Sequence, residues 1–216
     1  MFVGRRMTRN PITVTGEMSV LSARNLLREK NIAQVPVVEG QRLIGIVTDR
    51  DIRKNTASPA TTLSVHELNY LLSQMKVKEI MTRDVLTVSP GTTIEEAVLR
   101  INRKRVNGLP VVEGDRLVGI ITTCDLLNVL LEVIGMEGPS SRFEIIIRSG
   151  TGEIAKITGI INSLGLSVIS MFTCMNREEE GTRCLVLRVN TDDTRELQRK
   201  LEAEGYRLTM EYREEG

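Results

Sequence analysis

A 47-residue stretch of this chain is present twice, and no other feature restricts the fold as strongly. Residues 7–53 align without a gap on residues 81–127, an offset of 74, and 18 of the 47 aligned pairs are identical. The densest match sets Val35-Pro-Val-Val-Glu-Gly-Gln-Arg-Leu-Ile-Gly-Ile-Val-Thr-Asp-Arg-Asp51 against Leu109-Pro-Val-Val-Glu-Gly-Asp-Arg-Leu-Val-Gly-Ile-Ile-Thr-Thr-Cys-Asp125. Self-similarity at a fixed offset marks stacked supersecondary units. Two copies make a pseudo-symmetric pair rather than a solenoid, and the cleft between them is the place to expect a ligand.

Each copy reads as strand, helix, strand, strand, helix. In the first, Ile12 to Val14 is extended, and Ser19 to Asn31 has Val20, Ala23 and Leu27 at helical spacing. Val35–Val38 and Leu43–Val47 are β-branched runs joined by a Glu39-Gly-Gln-Arg42 turn, hence a hairpin. Asp51 then opens a second helix. In the second copy, Thr93-Ile-Glu-Glu96 predicts a reciprocal capping box. The helix from Asp125 carries Leu126, Leu127, Val129, Leu130, Val133 and Ile134, apolar over more than one face, and is expected to be buried between subunits or domains.

Between the copies, Asn55 to Thr62 is a polar, Pro-containing linker. Ser64 resembles an N-cap for a helix with Leu68, Leu71, Leu72 and Met75. After Gly135-Met-Glu-Gly-Pro139 the patterning changes. Strands are expected at Arg142–Arg148, Leu166–Cys174, Thr182–Val189 and Tyr206–Tyr212, with helices at Glu153–Leu164 and Asp192–Glu204. That βαββαβ order is ferredoxin-like. The expected division is 1–54, a linker with a helix over 55–78, 79–136, and a C-terminal domain over 142–216, in a mixed α+β and α/β fold class.

Charge and residue usage narrow the function. Lys plus Arg number 29 and Asp plus Glu 28, for a net charge of +1, and aromatics are 3% with no Trp. This disfavours nucleic acid, which calls for a basic face and stacking rings, and it disfavours a membrane surface. No window approaches the roughly 18 apolar residues of a membrane span, and Met1 to Asn10 lacks the apolar core of an export signal. With three cysteines (Cys124, Cys174, Cys184) and no such signal, a cytoplasmic location is expected. The single His66, and the lack of a CxxC pair, a P-loop or a nucleophile elbow, point away from an enzyme and from a metal site. No catalytic residue is assigned.

Thr48 with Asp51, and Thr122 with Asp125, close the two hairpins. A carboxylate suits the vicinal hydroxyls of a ribose, and a Thr hydroxyl with free helix N–H groups suits a phosphate. The apolar segments near Ile12, Val35, Leu86 and Leu109 are candidates to sandwich a flat base. The same aspartates also stand where Asp serves simply as an N-cap. Both readings remain open at this level. Cys174 and Cys184 fall opposite each other if the Asn176 to Gly181 tip is a hairpin.

These residues resemble a known family. Ile80-Met-Thr82, Leu109-Pro-Val-Val112, Leu117-Val-Gly-Ile-Ile-Thr122 and Asp125 are similar to a CBS domain, and Met7-Thr8, Val35-Pro-Val-Val38, Gly45-Ile-Val-Thr48 and Asp51 repeat the pattern. The resemblance implies a Bateman module, two CBS domains in a disc, binding an adenosine-containing ligand such as AMP, ADP or ATP without a covalent cofactor. It makes Asp51 and Asp125 ribose contacts and Thr48 and Thr122 phosphate-side contacts, with Ile12, Val35, Leu86 and Leu109 along the base. Arg50, Arg53 and Lys54 favour a charged nucleotide in the first copy, while the second, with Cys124, Leu127 and Asn128 in those places, is expected to suit a less charged adenosine compound or to be empty. Arg50, Thr48 and Asp51 are therefore the foremost expected contacts.

The C-terminal part resembles an ACT domain through Gly150-Thr-Gly-Glu-Ile154 and Gly165-Leu-Ser-Val-Ile169, departing from that family where Ser149 and Ser167 replace its usual Asp and Asn. The domain order, with His66-Glu-Leu-Asn-Tyr-Leu-Leu72 between the copies, resembles acetoin-utilisation proteins of the AcuB type. These resemblances imply a regulatory homodimer acting on a partner protein. The alternative is an amino-acid sensor in which the ACT interface holds the effector and the CBS pair is scaffold.

Overall fold

A computed structural model describes residues 1–56, 65–136, 138–150, 152–177 and 179–209. The Ser64 cap, most of the Asn55 to Thr62 linker, Glu178 and the end of the Tyr206–Tyr212 strand lie outside the described residues. The chain divides into two compact units, Met1–Leu127 and Asn128–Gly216.

In the first unit, α1 (Val20–Glu29) is capped by Ser19, whose side chain accepts from Ser22 N. Strands β3 (Gln34–Glu39) and β4 (Arg42–Thr48) form the expected hairpin, and α2 (Asp49–Thr56) follows. Helix α3 (Val65–Gln74) and the short α4 (Val77–Ile80) lead into the second copy. There α5 (Ile94–Lys104), β5 (Gly108–Glu113), β6 (Arg116–Thr122) and α6 (Thr123–Ile134) repeat the order. Both hairpin turns place a glycine at positive φ, Gly40 at 63° and Gly114 at 60°, where a side chain would be strained. Val20, Ala23 and Leu27 of α1 pack on Val35, Val37 and Val47, with Ile52, Leu72 and Val77 closing the core.

The two copies exchange their leading segments. Strand β1 (Thr8–Arg9) pairs with β6 of the other copy, Thr8 against Ile120, and the equivalent Thr82 pairs with Ile46 of β4. Phe2 bridges to Thr93, and its counterpart Lys76 bridges to Ser19. The chain then returns home. Strand β2 (Val14–Thr15) runs parallel to β3 through Val14 and Val37, as Val88 does to Val111. The hairpins meet at Arg42 opposite Arg116, and Glu39 and Glu113 relieve the like charge with ion pairs at 2.7 and 2.8 Å. The glycines at the crossings are forced. A Cβ on Gly119 would lie 2.5 Å from Met7 Sδ and 3.0 Å from Thr8 O, and one on Gly45 would lie 2.6 Å from Met81 Sδ.

Two local expectations change. Thr93 accepts from Glu96 N at 3.2 Å, but the Glu96 carboxylate turns to Arg100 at 2.5 Å, so the return half of that box is not made. In the single chain α6 buries Leu126 and Val129 but leaves Leu127, Leu130, Leu131 and Val133 about half exposed.

The second unit runs β7 (Ser141–Arg148), α7 (Glu153–Ser163), β8 (Val168–Met175), β9 (Thr182–Val189), α8 (Arg195–Ala203) and β10 (Arg207–Thr209). The sheet order β10-β7-β9-β8 is antiparallel throughout. Phe143, Ile145, Leu185 and Leu187 pack on Ile157, Ile161, Leu197 and Leu201 of the helices. The division between units falls inside α6, ahead of Gly135, because Ser170 Oγ on β8 donates to Ile134 O at 2.6 Å and ties that helix end to this sheet. Cys174 and Cys184 are directly opposed across β8 and β9, as the hairpin geometry required. Cys184 is buried, and its thiol donates to Glu144 Oε1 at 2.8 Å. Burial and that carboxylate push the Cys184 thiol far above the usual range, while the thiol and Arg142 hold Glu144 low.

Candidate functional site

The helices after the hairpins begin earlier than the sequence suggests, and this changes what the aspartates do. Thr48 is the cap of α2, and Asp51 sits in the first turn. Asp51 Oδ2 accepts from Thr48 N at 2.9 Å and from Thr48 Oγ1 at 2.7 Å, and Asp51 N donates to Thr48 Oγ1 at 3.1 Å. The second copy has the same box: 2.8 Å from Thr122 N, 2.8 Å from Thr122 Oγ1, and 3.4 Å for the return bond from Asp125 N. The aspartates are thus partners of a Thr cap, not caps themselves, a reciprocal box with Asp in the Glu position. One oxygen of each carboxylate is consumed, and the Thr hydroxyl proton is committed to it. The box uses Oδ2 alone and leaves Oδ1 of each aspartate outside it.

Only one of these boxes opens onto a cavity among those described. A hollow of about 510 Å3 is walled by Thr122, Cys124 and Asp125 on one side and by Ile12, Gln34 and Pro36 on the other. Its volume falls in the range of small-molecule sites. The walls come from different copies because of the exchanged segments. Ile12 stands between Thr8, paired to β6, and Val14, paired to β3, so the crossing carries it to Asp125 and not to Asp51. Ile12 is 40% exposed, an apolar surface open to the hollow.

The other expected residues are placed differently. Val35 and Leu109 are fully buried, Val35 in the core under α1. Side chains alternate along a strand, so Gln34 and Pro36 face the hollow and Val35 and Val37 face the core. Val35 and Leu109 therefore have only backbone to offer a base. Leu86 is half-buried and does not line this hollow. Thr48 and Asp51 do not line it either, nor does Arg50, which is exposed on α2. Arg53 is paired with Asp49 at 2.6 Å, a neighbour that lowers the net positive charge of the first copy. Gln34, Pro36 and Cys124 line the hollow and were not among the expected contacts. The strand alternation, counted from the two core valines, would have found the first two.

A second hollow of about 540 Å3 lies at the hairpin turns. Its arginines are engaged: Arg116 with Glu113 at 2.8 Å, and Arg9 with Gly4 O at 3.0 Å. Among the described residues no group of three or more His, Cys, Asp or Glu could hold a metal, and no helix is long and apolar enough to cross a membrane.

Residues 3–58 and 77–132, just over half of the chain, match the family model of the CBS domain. The chain belongs to the CBS domain family. Its CBS pair is 40% identical over 119 residues to an inosine-5'-monophosphate dehydrogenase of Korarchaeum cryptofilum, covering 55% of this chain and 22% of the dehydrogenase. The chain thus spans about a fifth of the length of the curated dehydrogenases it matches. Among solved structures, a putative acetoin utilization protein (AcuB) from Vibrio cholerae superposes with a TM-score of 0.53 at 30% identity, over 64% of this chain and 98% of that one. CBSX2, solved in complex with AMP, superposes with a TM-score of 0.51 at 31% identity, over 61% and 97%.

Proposed function

We propose that this chain is a non-catalytic regulatory protein whose CBS pair takes up an adenine nucleotide (AMP, ADP or ATP) in the hollow beside Asp125. The observation that carries this reading is the meeting of Thr122 and Asp125 with Ile12 and Pro36 around one cavity. The free Asp125 oxygen takes a ribose hydroxyl, Ile12 and Pro36 cover the base, and the start of α6 faces the phosphate. The AMP complex of CBSX2 supports the ligand class. Asp51 and Thr48, with the exposed Arg50, form the equivalent half-site of the other copy.

The C-terminal unit is read as an ACT-like domain on its βαββαβ order and its sheet order. The half-exposed leucines of α6 support a homodimer, since contiguous apolar surface is costly to leave in water. Helix α6 carries Asp125 in its first turn and continues past the division between the units, a covalent route for relaying occupancy to a partner protein in the cytoplasm. A ligand shifts that helix only by binding one arrangement more tightly than another. The expected amino-acid loop of the ACT-like unit includes Thr151, outside the described residues.

Cysteine alkylation tests the nucleotide reading at the site itself. Cys124 and Cys174 are exposed and only Cys124 lines the hollow, while Cys184 is buried with a raised thiol and reacts last. AMP at ten times its Kd is expected to slow iodoacetamide labelling of Cys124 about tenfold and leave Cys174 unchanged. Unprotected Cys124 at millimolar AMP, ADP and ATP would end the nucleotide reading.

A further inference from the structure

The hollow contains a polar side chain that the fold does not use. Gln34 is 8% exposed, lines the hollow, and its carboxamide has no hydrogen-bond partner among the described residues. An amide carries two donors and two acceptor lone pairs, and here they are left for water or a ligand in the hollow. The repeat itself does not require an amide at this point, because the equivalent position of the second copy is Gly108. A Cβ on Gly108 would lie 2.0 Å from Gln34 Nε2. The Gln34 side chain therefore lies across the bare Gly108 backbone at the junction of the copies, and that glycine leaves it room. The cleft holds one reading group where its pseudo-symmetry allows two.

Resting on the nucleotide reading, we propose that Gln34 is the base-specificity residue of this site, its carboxamide pairing with the 6-amino group and adjacent ring nitrogen of adenine. One donor and one acceptor side by side match that edge, as Gln matches adenine in nucleic-acid recognition. Asp125 and Gln34 stand on walls from different copies, so a nucleoside held by its ribose at Asp125 extends its base toward β3.

Calorimetry on the full chain tests this with two independent changes. Purine riboside 5'-monophosphate, which carries hydrogen in place of the 6-amino group, is expected to bind the unaltered protein about tenfold more weakly than AMP. Gln34→Met, of similar length and shape, is expected to lose about the same factor toward AMP and to bind the two nucleotides equally. The ligand-free melting temperature of Gln34→Met is expected to stay close to that of the parent, since no protein hydrogen bond is lost. Equal binding of the two nucleotides by the parent, or an unchanged AMP affinity in Gln34→Met, overturns the role of Gln34 while AMP binding stands. Absence of AMP binding by the parent itself overturns both the site reading and the proposal.

Discussion

Asp125→Ala is expected to weaken AMP binding to the full chain by roughly 30-fold, about 2 kcal/mol, the worth of a charge-assisted hydrogen bond to a ribose hydroxyl. The expectation rests on the free carboxylate oxygen, since Oδ2 is consumed by Thr122 N and Thr122 Oγ1. The substitution also breaks a capping box, with a stability loss of about 1 kcal/mol. Asp51→Ala separates the two effects because it breaks the same box in the first copy. It is expected to lower the melting temperature similarly while leaving the AMP concentration that protects Cys124 within a factor of about two. If Asp125→Ala loses stability but keeps its affinity, the carboxylate is a helix-capping group and nothing more.

Gly119→Val unfolds at lower urea concentration, with a loss of about 2–3 kcal/mol. The new Cβ would stand 2.5 Å from Met7 Sδ, which can move, and 3.0 Å from Thr8 O, which is held in the pairing of β1 with β6. Relief requires the leading segment to lift from the other copy. Thr8 also lines the hollow, so AMP affinity falls with stability. Gly45→Val, at the mirror-image crossing, is expected to destabilise by a similar amount. Gly91→Ala is the contrast: its Cβ would meet only Ser89 Oγ at 3.9 Å, and its effect is expected within about 0.5 kcal/mol of zero. Unfolding midpoints for Gly119→Val and Gly45→Val equal to that of Gly91→Ala would refute the exchanged arrangement.

How much of the site was legible can be seen residue by residue. Thr122 and Asp125 were picked out as a pair, but Asp was read as the N-cap and the reciprocal box was missed, although a Thr followed three residues later by Asp after a β-branched run is its local signature. The hairpins were readable: Glu-Gly-Gln-Arg and Glu-Gly-Asp-Arg turn wherever they are placed. Val35 and Leu109 are buried and do not line the hollow, and the sequence left their strand face open. A one-residue change of parity exchanges core and cleft, and the VPVV run, apolar at every position, carries no alternation to decide it. Arg53 looked like a ligand cation because its partner Asp49 is one helical turn away and was not counted.

The chain's own pattern therefore determined the duplication, the order of elements in each copy, the Thr–Asp boxes and the change of character after Gly135. Those depend on contacts within a few residues. Which copy each leading segment joins was decided only in three dimensions. Thr8–Arg9 is a two-residue strand that would hydrogen-bond to either sheet. What selects β6 is the combined fit of Met7 over Gly119, Thr8 against Ile120 and Phe2 against Thr93. That choice carries Ile12 to Asp125 and sets residues of both copies around one hollow.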